Sequence, residues 1–364
     1  MIGNKEITQF QLLFVLIHCQ IGVGIITLPN EIFLKAKGDS WMSVLLAGII
    51  IQITIFIFGA LMKRFPSSNL YGIIQFLFGK GFGKMIVILY SIYFMILGGF
   101  FLAKFAVILR AWMMPTTPKW LLVGLIVMIA VYIVKENLQI MARFLFISSI
   151  TLIGFIGFSI YSLKEANFTY ILPIGNTGVV PIMKGIPTTL FSYQGFEFLL
   201  LIYPFVQSDQ KGLVKVATIT NIIVTLFYTF IVMISLLFFS PNELKIVPEP
   251  MLYLVKAFTF KIIERPDLLF TSMWIVLVAT TIIIVLYASS LGLSFVMNSN
   301  KRSIYVFIVA GISFFLAMSV YGVYEIDSVS RIFNPFIILF AIGFPILLLL
   351  IAIIFNKKEV ENSG

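Results

Sequence analysis

Apolar stretches of about 20 residues recur from one end of this chain to the other, the length an α-helix needs to cross a hydrocarbon core of roughly 30 Å. In hydrocarbon every backbone N–H and C=O has to find its partner inside the protein, so such stretches fold as helices or closed barrels, and continuously apolar runs select helices. No polar interval between them is long enough for a soluble domain. Composition agrees: 60% of residues are hydrophobic and 11% charged, against roughly 25% charged in an average soluble chain. The chain reads as a single all-α integral membrane domain spanning 1–364.

Ten membrane-crossing helices are predicted, at Thr8 to Phe33, Trp41 to Leu61, Met85 to Leu109, Trp120 to Val134, Phe144 to Leu163, Met183 to Val206, Lys215 to Phe239, Asp267 to Met297, Ile304 to Tyr321 and Asn334 to Phe355. An even number returns the C-terminus to the side of the N-terminus. With both termini inside, thirteen Lys and Arg fall on the cytoplasmic side and eleven outside, with Lys104 left within a helix. Long loops weigh less in the positive-inside rule, and discounting the longest outer one leaves seven outside. Cytoplasmic termini follow, with 356–364 as a short tail. The first span lacks a basic segment followed by a small-residue cleavage site, so it is expected to be retained. The lone Cys19 precludes an intrachain disulfide. The net charge of +10 is spread over many loops, which suits contact with lipid head groups and does not suggest nucleic acid. Two connecting segments, Asn69 to Lys84 and Pro250 to Pro266, are too short or too charged to cross and are expected to form helices lying in the membrane interface.

The first span carries an anomaly. "HCQIGVGIITLP", His18 to Pro29, places Gly22, Gly24 and Pro29 where the bilayer is thickest. Glycine weakens a helix by about 1 kcal/mol relative to alanine, and proline removes an N–H and clashes one turn back. The same signature returns five spans later in "PTTLFSYQGFEFLLLIYP", Pro187 to Pro204, where Ser192, Tyr193, Gln194, Gly195 and Glu197 interrupt an apolar run. Unwound backbone is tolerated at that depth only where protein covers it or it lines a polar cavity. Glycine can also serve close helix packing, but matched breaks in two halves point to a transporter-type binding site. Five spans per half is an odd number, so the halves enter the membrane with opposite orientation. The expected architecture is a five-plus-five inverted repeat, about 8–163 and 183–355, with the first and sixth helices broken. Free N–H groups at half-helix ends would face an anion such as an amino-acid carboxylate, and freed carbonyls an ammonium or cation.

Ionisable groups within the membrane are functional candidates by default. Glu197 lies two residues past Gly195; it could cap the broken segment or serve as a proton site. Lys104 could snorkel to the outer interface or stand as a fixed cation in place of a sodium ion. His18, the only histidine, has no second ligand close in sequence, so a hydrogen-bonded helix residue is expected and no metal. Gln20 is a weaker candidate donor beside the break. Thr280 and Thr281 fall mid-span in the eighth helix, where hydroxyls can bond backbone carbonyls or a ligand. No catalytic set and no phosphate loop is present, so neither an enzyme nor a cofactor is expected.

Four segments together, "ITQFQ" leading into "IGVGIITLP", "KRFPSSNLYG", "GFEFLLLIYP" and "ERPDLLF" with the tryptophan beyond it, carry a resemblance. The chain resembles the B subunits of endospore germinant receptors, the GerAB-type spore germination permeases of the amino acid/polyamine/organocation superfamily, over nearly its whole length. The resemblance implies a LeuT-like fold with a pocket between helices 1, 3, 6 and 8. It implies a small germinant, an amino acid or a nucleoside, sensed in the spore inner membrane with an A subunit and a lipoprotein C subunit. On this sequence it assigns Gly22, Val23 and Gly24, then Gly195 and Glu197, then Thr280 and Thr281, to the ligand site. The competing expectation is a proton-coupled amino-acid transporter using the same pocket, with Glu197 or Lys104 as the proton-linked group.

Overall fold

The computed structural model describes residues 6–258, 264–299, 301–320 and 322–359. A two-residue strand, β1 (Ile7–Thr8), leads into α1 (Gln9–Gln20), and after a break α2 (Leu28–Ala36) continues the first crossing. There follow α3 (Ser40–Arg64), α4 (Leu70–Phe78), the long α5 (Lys80–Trp112), α6 (Lys119–Val134), α7 (Leu138–Ser148) and α8 (Ile150–Tyr161). The second half holds α9 (Val179–Ser192), α10 (Leu199–Ile202), β2 (Val206–Gln207), α11 (Gln210–Phe238), α12 (Pro241–Ile246), α13 (Pro250–Lys256) and α14 (Pro266–Val296). It closes with α15 (Arg302–Met318), α16 (Val323–Ile338) and α17 (Phe344–Ile354), the last two joined by a π-helical stretch, Leu339–Gly343.

The long helices are apolar on every side because one side meets lipid and the other the bundle. In α3, Val44, Ile51, Ile55 and Phe58 are buried, whereas Ile49, Ile53 and Phe56 face outward. The central helix is α5, which packs along α14 and α15, while α3 packs along α11. Between lipid-solvated helices packing and polar contacts, not water exclusion, hold the bundle, and α5 supplies rings for it: Tyr93 stacks on Phe340 at 4.7 Å and Phe105 lies 5.9 Å from Trp274.

Among the described residues six helices are long and apolar enough to cross a membrane on their own, and four shorter apolar ones accompany them: Gln9–Gln20, Lys119–Val134, Phe196–Phe205 and Arg302–Met318. The ten predicted spans are therefore not reproduced one for one by length. The first and sixth are short because they are broken, and α2 runs through the turn Lys37–Asp39 into α3. The predicted segment Asn69 to Lys84 does hold a short helix of its own, α4, capped by Asn69, which accepts from the Gly72 N–H, while its last residues from Lys80 belong to α5. Its Leu70, Tyr71, Ile73, Ile74 and Leu77 are buried in the bundle. The second such segment is represented by α13, whose Met251, Leu252, Leu254 and Val255 are likewise buried, while 259–263 lie outside the described residues.

One small sheet bears on the site. β1 and β2 pair in parallel, Ile7 with Val206 and Thr8 with Gln207, and Gln9 Nε2 donates to Ser208 Oγ at 2.8 Å. The start of the first crossing is thereby fastened to the end of the sixth.

Candidate functional site

Both breaks form where the sequence places its glycines. α1 ends at Gln20, Ile21 turns extended, and Gly22 takes φ −152° and ψ −123° before the single turn Val23–Ile25. α2 restarts with Pro29 in its first turn, where the missing N–H has no helical role. In the sixth crossing α9 ends at Ser192, and Gly195 adopts φ +118°, a left-handed conformation that favours glycine. A Cβ at Gly195 would stand 2.4 Å from the Cys19 carbonyl oxygen. The two breaks lie directly against one another.

Unwinding frees backbone groups, and the site satisfies several of them. The Tyr228 hydroxyl, from α11, shares its one proton between the Gln20 carbonyl at 2.7 Å and the Ser192 carbonyl at 3.0 Å, one from each break. Glu197 Oε2 accepts from the Gly195 N–H at 2.9 Å, with Tyr93 and Gln194 beside the same carboxyl. Gln194 Nε2 in turn donates to the Tyr93 hydroxyl at 2.7 Å.

A cavity of about 20 Å³ sits between the breaks, lined from the first crossing by Cys19, Gln20, Gly22, Val23 and Gly24, and from the sixth by Phe191, Ser192 and Gln194. Phe101 and Lys104 of α5 and Thr281 of α14 complete it. That is room for about one water, so the pocket is closed around its own side chains. Three buried polar atoms of the lining, Gln20 Oε1, Ser192 Oγ and Gln194 Oε1, have no hydrogen-bond partner. Unpaired buried acceptors are unfavourable by about 1–3 kcal/mol each, and those three are placed to receive a donor. A larger crevice of about 870 Å³ between α1, α8 and α11 opens sideways among Phe14, Ile150, Ile153, Leu226 and Phe230. Its walls are apolar and offer little to orient a polar ligand.

The residues named from the sequence divide accordingly. Gly22, Val23, Gly24, Thr281 and Lys104 line the cavity. Gly195 and Glu197 lie behind it, building the second break. Thr280 does not line it: its hydroxyl donates to the Leu277 carbonyl at 2.7 Å and lies 3.1 Å from His18 Nδ1. His18, fully buried, reaches Ser149 Oγ with its other nitrogen at 3.0 Å, so it ties α1 to α14 and to the segment joining α7 and α8. Lys104 does not snorkel. It is 5% exposed, and its Nζ lies 2.8 Å from Thr27 Oγ1 and 2.8 Å from Glu31 Oε1. Glu31 and Tyr228 were not anticipated from the sequence. A buried lysine needs a carboxylate nearby, which is the signal that leads to Glu31; a lone tyrosine in an apolar helix gives none.

The profile of the family described as "Spore germination protein", the spore permeases, matches residues 6–322. This chain belongs to that family. Among its relatives are spore germination protein GerQB of Bacillus cereus, 27% identical over 85% of this chain and 87% of that protein, and YndE of Bacillus subtilis (strain 168), 28% identical over 82% and 84%. The fold is that of LeuT-like transporters. Mhp1, a nucleobase-cation-symport-1 family transporter solved in a closed conformation with bromovinylhydantoin bound, superposes with a TM-score of 0.66 over 94% of this chain and 78% of its own, at 13% identity. The spore permease described here is thus a multi-pass membrane protein of germination receptor B type, not an enzyme.

Proposed function

We propose that this spore permease is the germinant-sensing subunit of a germination receptor in the spore inner membrane, and that its ligand occupies the cavity between the two breaks. The observation that carries the reading is chemical: one small cavity gathers three unpartnered buried acceptors from the two broken helices and Lys104 from α5. Acceptors suit the ammonium of a small amino acid, and Lys104 with the backbone N–H groups of the breaks suits its carboxylate. A ligand shifts an equilibrium only by its differential affinity for the two states. Here the ligand has to open a cavity that now admits about one water, so its binding selects a different packing of α1, α2, α9 and α10. That packing change is what partner subunits, an A subunit and a lipoprotein C subunit, would read. With both termini cytoplasmic, as the charge distribution over the loops suggests, Ile7 and β2 would lie on the inner face, where such partners could be engaged.

The test is made in spores of a host stripped of its own receptors and given this chain together with A and C partners from its receptor. Germination on amino acids or nucleosides that disappears when this chain is omitted supports the reading. Germination that continues without it, at full A and C levels, contradicts it.

A further inference from the structure

The ion pair in the wall of the cavity is lopsided. Lys104, on α5, has a side chain 6% exposed, whereas that of Glu31, on α2, is 32% exposed. The ammonium is enclosed, and a buried charge needs a partner; the Glu31 carboxylate is the more exposed member of the pair and the one with room to turn aside. An ammonium carries three donors, and the structure uses two, on Thr27 Oγ1 and Glu31 Oε1. Both partners belong to the second half of the first crossing, so this one side chain fastens that half to α5. Lys104 also lines the cavity, so one side chain borders both the ion pair and the ligand site.

Resting on the reading of the cavity as the ligand site, we propose that Glu31 is a built-in placeholder for the anionic group of the ligand, and that Lys104 exchanges the Glu31 carboxylate for the ligand's own. Charge is conserved at the ammonium throughout: one carboxylate replaces another, and the displaced one rehydrates. The consequence is mechanical. While Glu31 holds Lys104, α2 is fastened to α5 and the cavity is shut; when the ligand's carboxylate takes Lys104, α2 is released. Glu31 is then a specificity-determining residue as well as a latch, since a neutral ligand cannot displace it.

The chain carries its own reporter, because its single cysteine, Cys19, is buried in the cavity lining. The experiment measures maleimide labelling of Cys19 in the full-length chain in proteoliposomes, for wild type, Glu31→Gln, Lys104→Met and the double variant, which carries no isolated charge. Labelling several-fold faster in Glu31→Gln and in the double variant is expected; labelling as slow as wild type in both would overturn the latch. Each of the twenty common amino acids is then tested for protection of Cys19, beside its carboxamide. The acid is expected to protect wild type and its amide not, with a lower protecting concentration in Glu31→Gln and no protection in Lys104→Met or the double variant. Equal protection by acid and amide that survives Lys104→Met would overturn the exchange alone and leave the ligand site standing. No protection of wild type or Glu31→Gln by any of them would overturn both.

Discussion

A methyl group added to Gly22 would stand 2.0 Å from Thr281 Oγ1. The first crossing is broken at a point where α14 leaves no space for a side chain, so the break and the eighth predicted span form one wall of the cavity. Gly22→Ala is expected to remove ligand response while the protein still accumulates, and Gly22→Ala with Thr281→Ala to recover part of it, because the hydroxyl that clashes is gone. Spore germination at matched protein levels reads the difference.

A Cβ at Gly24 would lie 2.9 Å from Ser192 Oγ, whereas at Gly38 it would meet only the Ile171 carbonyl oxygen at 3.8 Å. Gly24→Leu therefore reduces ligand response far more than Gly38→Leu. Equal effects of the two at equal levels would count against the site.

His18 and Thr280 bridge α1 and α14 outside the cavity lining. Thr280→Val leaves a ring nitrogen of His18 unpaired in the interior, which lowers stability by about 1–3 kcal/mol. Thr281→Val should instead weaken ligand binding, since Thr281 lines the cavity. Melting temperature and ligand affinity, measured together on the two variants, should separate in opposite directions.

Glu197 and Tyr228 close hydrogen bonds that the breaks open. Glu197→Gln keeps an oxygen for the Gly195 N–H and should fold normally, while Glu197→Leu leaves that donor unpaired, a loss of about 1–3 kcal/mol. Tyr228→Phe deprives the carbonyls of Gln20 and Ser192 at once, so its melting temperature should fall at least as far. Thermal melts in detergent check both.

Much of this molecule was legible in its residues. Gly22, Gly24 and Pro29, with Gly195 and Pro204 in the second half, announce both breaks, because the helix-weakening property is carried by the residue itself. Helix ends were less legible: α16 begins at Val323 and α7 at Leu138, ahead of the predicted Asn334 and Phe144, since the polar positions there do not stop a helix that the bundle supports. Partnership was least legible of all. Both Thr280 and Thr281 donate to the Leu277 carbonyl, so nothing local distinguishes them, and only the rotation of α14 sets one beside His18 and the other beside the cavity. Lys104 looked free to snorkel because Glu31, its partner, lies far away in sequence.

The central claim is that the two breaks enclose a ligand site in a sensor. It is tested most directly by binding and uptake of a radiolabelled amino-acid pool in proteoliposomes holding this chain alone, with and without an imposed proton gradient. The account predicts saturable binding, lost in Gly24→Leu and kept in Gly38→Leu, with no accumulation under the gradient. Gradient-driven accumulation lost in Glu197→Gln would contradict it and make the protein a proton-coupled transporter.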